Sequence, residues 1–196
     1  MERYTYRPLR FYITVFAVTW FFWLLAILCN ESSMLFLFMF FGLVTPAIVA
    51  VITVFASKNK ALKQDFKRKI VGFYRIKPRY IILAVGLFAI VVVASIGTSI
   101  LFGGSVNQFS FTEDFSFSIG GTSALLTILL ASSIEELGWR GYGEDAVGAY
   151  HNWFNESIIF GVIWACWHIP LFWVPGTYQY DLKEMGIIYV INFVGS

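Results

Sequence analysis

The chain has 196 residues, of which 58% are hydrophobic, 19% are aromatic and only 13% are charged, with a formal net charge of +2. Soluble globular domains carry about 25% charged residues, so the composition excludes that class and favours a membrane protein. The apolar residues form long helical runs rather than alternating ones. This predicts an all-α polytopic membrane protein and excludes a β-barrel.

Residues 1–56 predict a basic N-terminal arm followed by two membrane helices. An apolar stretch from Phe11 to Cys29 is long enough to span a bilayer. It lacks a small-x-small cleavage site, so we expect a retained helix rather than a signal peptide. The second predicted helix runs from Met34 to about Ala56 and contains Pro46, which should kink it.

Residues 57–79 form a basic segment with nine lysines and arginines against one acid, Asp65. Four apolar residues in this segment recur at helical spacing: Leu62, Phe66, Ile70 and Phe73. A helix with such a face and a cationic opposite side predicts an interfacial amphipathic helix on anionic lipid. A nucleic-acid-binding patch is the alternative, but lipid accounts directly for a basic segment next to a membrane helix. We therefore expect no nucleic-acid partner.

Residues 80–121 predict a third membrane helix, from Tyr80 to about Phe102, and a polar loop. The loop contains Glu113 and Asp114 but no lysine or arginine, whereas the N-terminal arm and the basic segment hold twelve of the fourteen basic residues. The positive-inside rule then predicts a multi-pass protein of the cell membrane with a cytoplasmic N-terminus and this loop outside.

Residues 122–196 predict a fourth helix, from about Thr122 through two adjacent glutamates, and a fifth from about Glu156 to Trp173. The last apolar run, from Met185 to Ser196, has about 12 residues and is too short to span. The predicted fold is thus a bundle of five full transmembrane helices and the start of a sixth, with the interfacial helix. We expect the chain to end inside that sixth helix, either as a fragment or as a truncated relative.

Two adjacent carboxylates, Glu135 and Glu136, lie at the end of the fourth predicted helix. A charge at the centre of a membrane helix costs about 2.5 to 3.5 kcal/mol, and less near its ends, so such residues usually face a partner or a wet cavity. Arg140 follows Glu136 by four residues, the favourable order for an ion pair. Glu135 is turned by about 100° from Glu136, so the two carboxylates need not share a task. The alternative is a pair of structural glutamates.

His168 is the second polar residue inside an apolar helix, and it shares one helical face with Phe160 and Trp164. Pro170 should break the backbone hydrogen-bond ladder beside it. Counted along antiparallel helices, Glu135 lies about 22 Å from one end and His168 about 18 Å from the other. In a core about 30 Å thick the two can therefore meet in depth. The alternative is a histidine that serves only a helix interface.

The segments Glu135–Tyr142 and Trp164–Phe172 resemble the CPBP family, also called the Abi domain, of CAAX-prenyl-protease-2-like and bacteriocin-processing intramembrane proteins. The family pattern is EExxxR on one membrane helix and an aromatic residue followed by xxxH on the next. The resemblance spans about Thr122 to Val174. It implies that Glu135 and His168 position and activate a water molecule, that Glu136 and Arg140 organise the site, and that Trp164 supports it.

The family also carries a third motif, HxxxN or HxxxD, on a later helix, and this chain has only His151 and His168. The chain as it stands is therefore expected to be inactive. An older interpretation of the family makes Glu135 and His168 ligands of a divalent metal such as zinc. We favour the metal-independent alternative, without a cofactor, because the site offers a single histidine.

Two function classes follow from these patterns. The first is an intramembrane endopeptidase that cleaves a membrane-associated or lipidated peptide or protein, or processes a bacteriocin. The second is a non-catalytic immunity or regulatory protein that binds a peptide or membrane partner with a degenerate site.

Overall fold

The computed structural model describes residues 4–29, 32–109 and 124–185, and within these ranges the chain is all helical. The predicted all-α class is therefore confirmed. Four helical segments among the described residues are long and apolar enough to span a membrane: Pro8–Leu28, Ser33–Ala56, Pro78–Leu101 and Trp153–Trp173. The fourth predicted helix is described only from Ala124, and the predicted sixth run lies almost wholly outside the described residues, so the count of five full helices and the start of a sixth stays a prediction.

The chain divides into two compact units, residues 1–70 with 116–196, and residues 71–115. The second unit contains α4, Pro78–Leu101, between short 3-10 turns at Gly72–Arg75 and Val106–Phe109. α4 begins where the third membrane helix was predicted. Its proline lies in the first helical turn, where the missing N–H leaves no hydrogen bond unmade.

An antiparallel hairpin of α1, Pro8–Leu28, and α2, Ser32–Ala56, forms part of the core of the first unit. Thr19 donates a hydrogen bond to the carbonyl of Gly42 at 3.2 Å, and the indole of Trp23 donates to the carbonyl of Met39 at 3.3 Å. Gly42 allows this approach because a Cβ there would lie 2.1 Å from the Trp23 nitrogen. Pro46 lies inside α2, as the sequence predicts.

The basic segment folds as the amphipathic helix α3, Lys60–Val71, but its apolar face does not lie on lipid as predicted. Leu62 and Phe66 are 4% and 0% exposed and belong to the protein core, whereas Ile70 is exposed. Gly141 makes this possible, since a Cβ there would lie 2.7 Å from the Phe66 ring. The apolar face therefore packs against the rest of the protein. Contact between the cationic side of α3 and lipid stays a prediction.

The two polar motifs of the sequence, around Glu135 and around His168, fall on the last helices of the first unit. α5, Ala124–Gly138, continues into a π-helix, Trp139–Gly143, and then α6, Glu144–Gly148. α7, Trp153–Trp167, begins three residues earlier than predicted because Asn152 caps it, accepting a hydrogen bond from the Asn155 amide at 2.9 Å. A 3-10 turn, Ile169–Trp173, and the unpredicted helix α8, Tyr178–Met185, follow.

Side chains from three segments meet where α5 gives way to the π-helix and α6. Tyr6 of the N-terminal arm donates to Asp145 at 3.3 Å, and Lys69 of α3 pairs with the same carboxylate. Burial, and then the charge of Asp145, raises the pKa of the Tyr6 phenol, so the phenol remains a donor. Tyr6, just before α1, and the end of α5 therefore lie at one end of the unit, which agrees with the predicted helix order. Which side faces the cytoplasm stays a prediction.

Candidate active site

The carboxylate of Glu135 is held by two indole groups. Its Oε1 atom accepts one hydrogen bond from Nε1 of Trp139 and another from Nε1 of Trp164, each at 3.1 Å. The first donor lies one turn along the chain, whereas the second comes from α7. Because both donors converge on one oxygen, the orientation of the carboxylate is defined and the other oxygen, Oε2, is left for different chemistry.

Trp139 is a site residue that the sequence analysis did not single out. Its ring is fully buried and lies 6.1 Å from the ring of Tyr12, nearly parallel to it, and 5.3 Å from the ring of Trp167. These contacts fix the indole from both sides, so its N–H is a rigid donor. The signal in the sequence was an aromatic residue four positions after Glu135, which places both side chains on one face of a helix.

His168 is 6% exposed and lies at the end of α7. Its Nδ1 atom is 2.8 Å from the carbonyl oxygen of Trp164. A carbonyl only accepts hydrogen bonds, so Nδ1 carries the proton and, in the neutral ring, Nε2 carries the lone pair. The expected effect of Pro170 is confirmed here, since the α-helix stops at Trp167 and a 3-10 turn follows. The carbonyl of Trp164 therefore accepts a hydrogen bond from the imidazole.

Glu136 and Arg140 form the predicted ion pair, with Nε of Arg140 3.0 Å from Oε2 of Glu136. The same guanidinium contacts Glu144 at 2.7 Å, a partner that the sequence analysis did not name, and lies 5.0 Å from the centre of the Phe160 ring. The side chains of Glu136 and Arg140 are 45% and 56% exposed. This ion-pair group is therefore more accessible than the Glu135 carboxylate, which has its own partners.

Among the predicted site residues, the structure joins Glu135, Trp164 and His168 into one hydrogen-bonded set. Trp164 is the member in the middle, because its side chain donates to Glu135 while its backbone carbonyl contacts His168. The rings of Trp164 and His168 also lie 4.2 Å apart, centre to centre. Glu136 and Arg140 belong to a second set, linked to Phe160 of α7 by the guanidinium.

A zinc site is not built from the part of the chain that the structure describes. No three histidine, cysteine, aspartate or glutamate side chains converge within it. A catalytic zinc usually takes three protein ligands, whereas Glu135 and His168 supply two. The described residues alone therefore do not complete a zinc site, and the metal-independent alternative stays a prediction.

The site lies inside a region that resembles known proteases in sequence. A family model described as type II CAAX prenyl endopeptidase Rce1-like matches residues 117–193, which include Glu135, Glu136, Arg140, Trp164 and His168. The chain is also 38% identical over 197 aligned residues to CAAX prenyl protease 2 of the archaeon Methanococcus maripaludis. That alignment covers 98% of this chain and 73% of the relative. The chain therefore belongs to the Rce1-like branch of the CPBP family of intramembrane proteases, as its two motifs indicated.

Proposed function

We propose that the protein hydrolyses a peptide bond of a membrane-associated or lipidated peptide or protein, with water activated by Glu135 and His168. The observation that carries this proposal is the pair of bonds made by Trp164, which ties the carboxylate of α5 to the imidazole of α7. Two potential bases on different helices, both held by one residue, suit a water molecule bound between them. The archaeal relative is named a CAAX prenyl protease, which supports a substrate with a prenylated C-terminus.

The proposed step begins with a water molecule near Oε2 of Glu135 and Nε2 of His168. The water oxygen bonds to the carbonyl carbon of the scissile peptide, and a water proton passes to the carboxylate. The C–N bond then breaks, and a proton passes from this site to the leaving amine. The products are a carboxylic acid and an amine, which exchange a proton to become a carboxylate and an ammonium, so atoms and charge balance. The indole N–H groups of Trp139 and Trp164 keep the carboxylate directed at the water throughout.

Glu136, Arg140 and Glu144 take no part in the proton transfer in this proposal. Their ion pairs connect α5, the π-helix and α6, and the guanidinium over Phe160 connects them to α7. We assign them the task of keeping the two helices in register, so that Glu135 and His168 face the same water.

A quenched fluorescent peptide with a prenylated C-terminal cysteine motif tests the proposal. For this assay the chain is extended by a helix that carries the HxxxN pattern of the family, because that pattern implies the donors for the oxyanion. Glu135→Gln and His168→Ala should each lower the rate by about 10² to 10⁴, the range for loss of a general base. Asp181→Asn, an exposed carboxylate on α8, is the control and should cleave at the rate of the unaltered protein.

The alternative function is that of a membrane protein that binds a peptide or protein partner at the same site without cleaving it. If the extended Glu135→Gln protein cleaves as fast as the unaltered one, the protease assignment of this site is wrong and the binding function replaces it.

A further inference from the structure

A groove of about 520 Å³ lies between the N-terminal arm, the start of α1 and the last turns of α2. Its walls include Arg7, Arg10, Phe11, Val49, Ile52 and Thr53. The volume falls within the range of small-molecule sites, about 300 to 1,000 Å³. None of the residues that are proposed to take part in peptide hydrolysis lines this groove, so that reaction assigns the groove no role.

The groove has an unbalanced positive charge. Arg7 and Arg10 both line it, and no aspartate or glutamate does. Within the described residues, neither arginine takes part in an ion pair. Two guanidinium groups without a carboxylate attract an anion, and their planar forks match the oxygens of a phosphate group.

The remaining walls and the position of the groove indicate that this anion carries an apolar tail. Val49 and Ile52 lie on α2, and Ile52 is 61% exposed. The groove includes the first turns of one candidate membrane span and the last turns of another. Ends of membrane helices lie at the level of the lipid headgroups, where an anionic phosphate and an acyl chain meet.

We propose that this groove binds one anionic phospholipid, with its phosphate between Arg7 and Arg10 and an acyl chain along Val49 and Ile52. The site reaches the π-helix through the N-terminal arm, because the Arg7 amide donates to the hydroxyl of Tyr142 at 3.5 Å. Tyr4 and Tyr142 also share a hydrogen bond at 3.1 Å. The lipid therefore holds the arm against the π-helix and stabilises the fold.

The test uses the intact chain in detergent micelles at high salt, where general attraction between surface charges is screened. Native mass spectrometry counts retained phosphatidylglycerol, and thermal unfolding is followed with phosphatidylglycerol, phosphatidylcholine or inorganic phosphate. We expect one retained phosphatidylglycerol and a midpoint raised by several degrees, with little effect of the other two. Arg7→Gln with Arg10→Gln should weaken retention by about tenfold or more.

A matched double variant, Lys67→Gln with Arg68→Gln, removes the same charge from α3 and should keep the retained lipid. Ile52→Gln should weaken retention while both arginines are intact, and it keeps the test valid if the arginine variant does not fold. Equal loss in the α3 variant, or full retention in both groove variants, would overturn the proposal. Stabilisation by inorganic phosphate equal to that by the lipid would show an anion site without a lipid tail, which also overturns it.

Discussion

The indole nitrogen of Trp164 donates a hydrogen bond of 3.1 Å to Oε1 of Glu135, across 29 residues of chain. The backbone of the same tryptophan accepts from the imidazole of His168 at 2.8 Å. A single residue thus sets the position of the carboxylate and the tautomer of the histidine. Any displacement of α7 relative to α5 therefore moves both groups relative to the water that they are proposed to share.

The two indole donors should be separable by mutation. Trp139→Phe and Trp164→Phe keep an aromatic ring but remove the N–H group that holds Glu135. A hydrogen bond to a charged group contributes about 1.5 to 3 kcal/mol, so each variant should lower kcat in the extended chain by roughly 10- to 150-fold. KM should stay near its original value, because the peptide is not a partner of either indole. Steady-state kinetics on the prenylated reporter measures both constants.

Trp153→Phe is the control for this pair, because Trp153 is 77% exposed at the start of α7. It should leave kcat and KM unchanged. A rise in KM without a fall in kcat in the Trp139 or Trp164 variant would contradict the positioning role, because it would place these side chains in substrate binding.

The ion pairs of Arg140 should contribute little to stability. The side chains of Glu136 and Arg140 are about half exposed, and exposed pairs contribute about 0.2 to 1 kcal/mol. Arg140→Ala, Glu136→Gln and the double variant form a cycle whose coupling free energy should fall in that range. Thermal or denaturant unfolding in detergent measures it. A coupling of several kcal/mol would instead indicate that the pair is shielded from water in the bilayer.

The sequence was sufficient for the long apolar helices that the structure describes and for the ion pair, because both depend on spacing along the chain. The i,i+4 relation of Glu136 and Arg140 survives even though the backbone passes through a π-helix at Trp139–Gly143. Trp139 was missed because an indole in an apolar membrane protein is usually a packing residue. Its donor role depends on where α7 places Trp164, which no local pattern contains.

The apolar face of α3 is a second feature that the sequence predicts only in part. Spacing predicts the face correctly, but it does not say what covers it. Either lipid or protein can cover an apolar stripe, and Gly141 favours protein here because it leaves room for the Phe66 ring. The two residues lie 75 positions apart in the chain, so no local pattern relates them.

The predicted orientation can be tested by labelling with a membrane-impermeant thiol reagent. In a background with Cys29→Ser and Cys166→Ser, single cysteines are placed at Ser118→Cys in the acidic loop and at Lys60→Cys in the basic segment. Because basic residues stay on the cytoplasmic side, only position 118 should react in intact cells. Both positions should react once the cells are opened. Reaction at position 60 alone in intact cells would reverse the assigned orientation.

The contact between α5 and α2 depends on the absence of a side chain at Gly138. A Cβ there would lie 2.3 Å from the carbonyl carbon of Pro46 and 2.6 Å from its oxygen, both of them backbone atoms that cannot rotate away. Gly138→Ala should therefore push α5 from α2 and lower the free energy of unfolding by about 1 to 3 kcal/mol or more. Because α5 carries Glu135, the variant should also lose activity in the extended chain.

Gly161→Ala is the matched control, since Gly161 lies inside α7 and a Cβ there meets nothing within 4 Å. Alanine is favoured over glycine inside a helix by about 1 kcal/mol, so this variant should be as stable as the unaltered chain or slightly more so. Thermal unfolding in detergent compares the two variants directly. An unchanged midpoint for Gly138→Ala would show that α2 and α5 are not packed as closely as the structure has them, and the position assigned to Glu135 would have to be revised with it.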